Sequence, residues 1–178
     1  MQVLSKEEQR YVVGSTGSIA DDYERNHPSG GIAPGSAALT IGMQRTDCFF
    51  QALAYANNFL GGDDKRNSSY FYNAYNSSYG NADGGVANFS IADAFASNFF
   101  VQQNINNSVP GNMDNFANGT GGVLIGTYTT SAGYQHAVII THVYSNGRID
   151  FYDPQNNIQV KNSPRSITHY LALTSNCQ

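Results

Sequence analysis

The chain has 178 residues, a single-domain length long enough to bury a core, and a formal net charge of -4. Hydrophobic residues make up 40%, but charged ones only 12%, about half the ~25% of an ordinary globular protein. Its 9 Lys and Arg are scattered and no apolar run reaches the length of a membrane span, so neither nucleic-acid binding nor membrane insertion is expected. Asn, Ser, 18 Gly and 12 Tyr fill the deficit, and Trp is absent. A surface solvated by amides and hydroxyls reads as that of a secreted or cell-surface protein.

Residues 1–18, MQVLSKEEQRYVVGSTGS, lack the long apolar run of an ordinary signal peptide. Ser5 and Glu8 form a capping-box pattern, and Val3, Leu4, Tyr11 and Val12 share one helical face before Gly14 and Ser15 stop it. This stretch resembles the double-glycine leader peptides that bacterial peptidase-containing ABC transporters bind and cleave after Gly-Gly, Gly-Ala or Gly-Ser. The resemblance implies a leader-processing ABC transporter as a partner. An ordinary capped N-terminal helix explains the same residues, and both readings stand. Residues 1–15 are therefore expected to be a leader or pro-segment helix. Residues 16–43, with NHPSGGIAPGSAALTIG at 26–42, are expected to be a loop or linker, and 44–178 the folded domain.

Residues 45–62, RTDCFFQALAYANNFLGG, carry the most regular helical pattern in the chain. Phe49, Leu53, Ala56 and Leu60 form an apolar stripe that Phe50 and Ala54 widen. Thr46 or Asp47 is positioned to cap the start, and Gly61 to end it. Cys48 thus falls in the first turn, among unpaired backbone N–H groups at the positive end of the helix dipole. That environment suits a nucleophilic sulfur, and the same N–H groups suit an oxyanion. A small buried hydrophobe is the plain alternative. A disulfide to Cys177, the only other cysteine, is another. With no CxxC, HExxH or carboxylate-rich loop, neither a metal site nor a cofactor is expected.

Residues 67–85, NSSYFYNAYNSSYGNADGG, read as a polar surface segment. A short amphipathic helix follows in SIADAFASNFF, capped by Ser90, with Ile91, Ala94, Phe95 and Phe99 inward. Residues 104–122, NINNSVPGNMDNFANGTGG, read as loop. Strands begin with GGVLIGTYTT. Residues 135–161 then read as two strands joined at Ser145, Asn146 and Gly147, and a third, IQVK, after the turn at Asp153 and Pro154. In such a hairpin the start of the first strand lies beside the end of the second. His136 and Asp153 are thereby brought to one end of the sheet, where the carboxylate can orient and charge-stabilise the imidazole. Singly, each has a plainer reading: a satisfied histidine at a strand end, and an Asx-type turn before proline.

A DC pair opening an amphipathic helix, then HAVIITHV, then IDFYDPQ, resembles the papain-like cysteine peptidase superfamily in the order Cys, His, Asp. The spacings, 88 residues from Cys48 to His136 and 17 from His136 to Asp153, are similar to its compact bacterial branches, the bacteriocin-leader-processing peptidases and papain-fold toxin domains. The resemblance implies an α+β fold, with a helical part carrying the nucleophile packed on a C-terminal antiparallel sheet. It further implies Cys48 as nucleophile, His136 as general base and acid, and Asp153 as the orienting residue. The family's oxyanion-hole Gln stands about six residues before the Cys. Here Gly42 holds that place and Gln44, four before, is the candidate. Cell-wall peptidases of the NlpC type share the DC helix but place their His much sooner. A cysteine-dependent hydrolase acting on a peptide or protein substrate is the expectation. A toxin-like glutamine deamidase or a catalytically silent secreted binding module are the alternatives.

Overall fold

The computed structural model describes residues 47–80, 86, 88–118, 121–131 and 133–176. The expected leader at 1–15, the linker at 16–43, Gln44 and Cys177 lie outside the described residues. What is described is an α+β chain in which three helices precede most of an antiparallel sheet. Helix α1 spans Cys48–Phe59, α2 Ser68–Tyr79 and α3 Phe89–Ala96. After the two-residue strand β1 (Val101–Gln102) comes α4 (Pro110–Asn118), then β2 (Gly122–Thr129), β3 (Gln135–Val143), β4 (Ile149–Asp153), β5 (Ile158–Ser163) and β6 (Ile167–Thr174). The strands lie in the order β1-β6-β2-β3-β4-β5 and every neighbouring pair is antiparallel.

Two faces of this sheet are covered, which is why β2 and β3 are buried along most of their length. Val123, Ile125, Ala137, Ile139, Leu171 and Leu173 join Phe50, Leu53, Phe71 and Phe95 of the first three helices in one core cluster. The alternate residues Leu124, Val138, Ile140 and Ala172 pack with Phe151 and with Met113 of α4 on the other side. The period-2 alternation of strand side chains thus divides the apolar residues between two half-cores.

Helix α1 is buried at Phe50, Leu53, Ala54, Ala56 and Asn57, while Phe49 and Leu60 are only half-buried. The inward face is therefore centred one residue later than the stripe that starts at Phe49. Gly61, at φ 72°, accepts the left-handed conformation that closes the helix. The segment read as surface contains α2, where the Asn67 side chain caps Tyr70 N at 2.9 Å and Phe71 and Tyr75, one turn apart, are buried. The loop reading of 104–122 is corrected likewise: Pro110 occupies the first position of α4, where its missing N–H is harmless, and Met113 is buried. In α3 the cap is Asn88 rather than Ser90, and Ala94 is exposed rather than inward.

Helix α1 is packed against α2 and α3 through Phe50, fully buried and edge-packed against Tyr72, Tyr75 and Phe95. We expect Phe50→Ala to lose about 3–5 kcal/mol in urea unfolding. Phe59→Ala, at a position 56% exposed, should change stability by about 0.5 kcal/mol. Equal losses at the two sites would show that α1 is docked by another face.

Candidate active site

Cys48 is the first residue of α1 and a buried free thiol. The Ala137 N–H of β3 donates to its Sγ at 3.4 Å, which ties the helix start to the beginning of that strand. His136 is the preceding residue of β3. Asp153 is the last residue of β4, and His136 Nε2 and Asp153 Oδ2 are 2.8 Å apart, with both side chains about nine-tenths buried. The structure brings Cys48, His136 and Asp153 together and describes no position for Gln44.

The Asp153 carboxylate divides its work between two oxygens. Oδ1 accepts the turn amides of Gln155 at 3.0 Å and Asn156 at 3.2 Å, while Oδ2 accepts from His136 and from Asn156 Nδ2 at 2.7 Å. Asp153 is thus at once the Asx-type turn residue and the partner of His136, so the two readings of its sequence position are compatible. Burial alone would raise its pKa, but the His136 charge and these hydrogen bonds outweigh burial and hold it below its ordinary value. Burial likewise works against the His136 imidazolium. The Asp153 charge and hydrogen bond, followed by a hydrogen bond and charge interaction with Cys48, overcome it and raise the imidazole pKa well above the ordinary value. Because Nε2 is engaged by Asp153, Nδ1 is the ring nitrogen left for Cys48.

Burial distinguishes this pair from two others. His142 Nδ1 lies 2.7 Å from Asp114 Oδ1 and His169 Nε2 lies 2.8 Å from Asp93 Oδ1, but these imidazole side chains are 36% and 24% exposed, against 11% for His136. The ring of Tyr128 stands edge-on to His136 at 5.5 Å, and Arg165 lies over Tyr128 at 4.2 Å. This layer closes one side of the imidazole.

Of the two candidate caps of α1, Thr46 lies outside the described residues, and Asp47 holds the cap position without capping through its side chain. Its side chain makes no cap hydrogen bond; it is buried and accepts instead from Gln51 Nε2 at 3.0 Å and Gln155 Nε2 at 2.6 Å. The amides of the first turn are thereby left without a carboxylate partner from their own cap residue. Asp47, Gln155, Asn156 and Tyr128 are the residues around the site that sequence reasoning missed. The one available signal was DPQNN, where a strand-ending aspartate is followed by amide side chains able to brace it. Among the described residues no group of His, Cys, Asp and Glu is arranged to hold a metal ion, and no helix is long and apolar enough to cross a membrane. No protein-family model matches the chain, and no curated protein matches it in sequence.

The opposed shifts of His136 and Asp153 predict a pH window. A carboxyl whose pKa is lowered by folding adds stability above its ordinary 3.8 and loses it as pH falls through the folded value. An imidazole whose pKa is raised by folding adds stability below its ordinary 6.5 and loses it as pH rises through the folded value. The pair therefore contributes most between those two ordinary values. Asp153→Asn, which keeps an acceptor for the turn amides, should cost about 3–5 kcal/mol in that window and less on either side. Chemical denaturation across pH measures this, and a pH-independent cost would show that the pair carries no proton linkage.

Proposed function

We propose that the chain is a thiol hydrolase with a papain-like fold, acting on amide bonds of a peptide or protein through Cys48, His136 and Asp153. The observation that carries this reading is the buried His136–Asp153 pair, whose other ring nitrogen faces a free cysteine at a helix start. A buried structural cysteine requires neither a histidine beside it nor a carboxylate behind that histidine. A satisfied strand-end histidine requires no thiol. Helices preceding an antiparallel sheet, with the nucleophile on the first described helix and base and acid on adjacent strands, support the papain-like assignment.

The steps follow from the parts. Cys48 passes its proton to His136 Nδ1, and the sulfur attacks the amide carbon, forming a C–S bond. The Cys48 N–H, at a helix start that Asp47 does not cap, is placed to stabilise the oxyanion. His136 then gives its proton to the leaving nitrogen as the C–N bond breaks, leaving a thioester. Water, deprotonated by His136, displaces the sulfur and releases the acid. Asp153 stays ionised throughout, holding the ring in place and offsetting the imidazolium charge. All the protons are moved by side chains of the chain itself. A Gln side chain as the attacked amide would make the same chemistry a deamidation. A secreted or surface location fits the charge-poor composition.

Iodoacetamide labelling followed by mass spectrometry tests this reading. Cys48 should label rapidly at about pH 6, where an ordinary thiol, with its pKa near 8.5, is almost wholly protonated. His136→Ala should slow labelling by at least about tenfold, and Cys48→Ala should abolish any amide hydrolysis. Labelling at the pace of a free thiol, unchanged by His136→Ala, would contradict a nucleophile–base pair.

A further inference from the structure

Cys48, His136 and Asp153 do not by themselves fix the nucleophile's helix against the base and acid. The helix start and the turn after β4 come from sequence positions 108 residues apart, and they are joined by a second bond beside the site. Asp47, the residue immediately before Cys48, is 4% exposed. Its Oδ1 accepts from Gln155 Nε2 at 2.6 Å. Gln155 N in turn donates to Asp153 Oδ1 at 3.0 Å. The path from Cys48 through Asp47, Gln155, Asp153 and His136 runs on to Ala137, whose N–H donates to Cys48 Sγ, and so closes a ring around the reacting groups. Gln51 Nε2, one turn into α1, donates to the other Asp47 oxygen at 3.0 Å and keeps the carboxylate turned away from the cap position.

From this ring we propose that Asp47 and Gln155 form a clamp that sets the separation of the Cys48 helix from the His136–Asp153 hairpin, and that both are positioning residues of the site. The proposal rests on the thiol-hydrolase reading. Its physical basis is that proton transfer and attack need the reacting atoms within a fraction of an ångström of productive geometry, and groups locked by hydrogen bonds hold such geometry best. Turning Asp47 from the helix amides toward Gln155 has a second effect. The anion that would otherwise occupy the first-turn N–H groups is removed, and those groups remain for the substrate oxyanion.

The hydrogen bond can be reversed, which gives the test its discrimination. In Gln155→Glu two carboxylates face each other and the clamp opens. In Asp47→Asn the Gln155 amide turns over and accepts from the amide introduced opposite it, so the clamp holds. In the double variant Asp47→Asn/Gln155→Glu the introduced amide donates to the introduced carboxylate, and the clamp is rebuilt with its polarity exchanged. The readout is the iodoacetamide rate at Cys48 at about pH 6, with circular dichroism melting on each variant. Gln155→Glu should label about tenfold more slowly than wild type, a usual coupling for groups in one hydrogen-bond network. Asp47→Asn and the double variant should stay within about threefold of wild type. Wild-type speed in Gln155→Glu, or a double variant as slow as Gln155→Glu, overturns the clamp. If Gln155→Glu does not fold, Gln155→Ala replaces it, with the same slowing expected and wild-type speed again overturning the proposal. Wild-type protein that labels no faster than a free thiol overturns the hydrolase reading and the clamp with it.

Discussion

One extra residue in the β3–β4 hairpin decides whether this site exists. At the turn end His142 pairs with Asp150 and Val143 with Ile149, but beyond it Ile140 pairs with Phe151 and Ile139 with Tyr152. Thr141 is the residue gained, a bulge in β3. Carried toward the strand start, the shifted register sets Val138 opposite Asp153, so His136 and Asp153 emerge on the same face, diagonal to each other. Without the bulge Asp153 would face Ile139, and His136 would point to the opposite side of the sheet. The 2.8 Å bond between the two side chains depends on that single register step.

Helix α1 must then meet this strand end correctly. Phe50, Leu53 and Ala56 share one buried cluster with Ala137 and Ile139, and the Ala137 N–H to Cys48 bond aligns the helix's first residue with the residue after His136. Apolar burial supplies the affinity of helix for sheet but has no direction. Directional bonds at the helix start supply the alignment: Ala137 to the sulfur, and Gln155 to Asp47. The same division of labour explains why the Asp47 carboxylate beside Cys48 is buried and braced by amides rather than left to solvent.

Much of this was legible in the sequence, and what was not has physical reasons. The long apolar period of α1 and the alternating, Gly-punctuated β3–β4 hairpin are strong local patterns, and they carry Cys48, His136 and Asp153. Helices α2 and α4 were hidden because Asn and Ser, which favour turns, surround their few inward residues. Only the capping Asn67 and the initial Pro110 signal them. The inward face of α1 is fixed by what Phe50 packs against, which a helical period with apolar residues at both Phe49 and Phe50 leaves open. Asp47 preceding a helix satisfies every rule for an N-cap. Its diversion to Gln51 and Gln155 depends on a turn that lies more than a hundred residues away. The Thr141 bulge has no sequence mark at all, since the hairpin reads equally well without it.

That Cys48, His136 and Asp153 act as one coupled unit is tested most directly by the titration of the His136 ring, followed by heteronuclear NMR. In the wild-type protein the imidazole should keep its proton well above the ordinary value of 6.5. Cys48→Ala, which removes the hydrogen bond and charge of the sulfur, should lower that pKa. Asp153→Asn, which leaves burial unopposed by the carboxylate, should lower it further. A His136 that titrates at the ordinary value in the wild type, or one indifferent to both substitutions, would contradict the account.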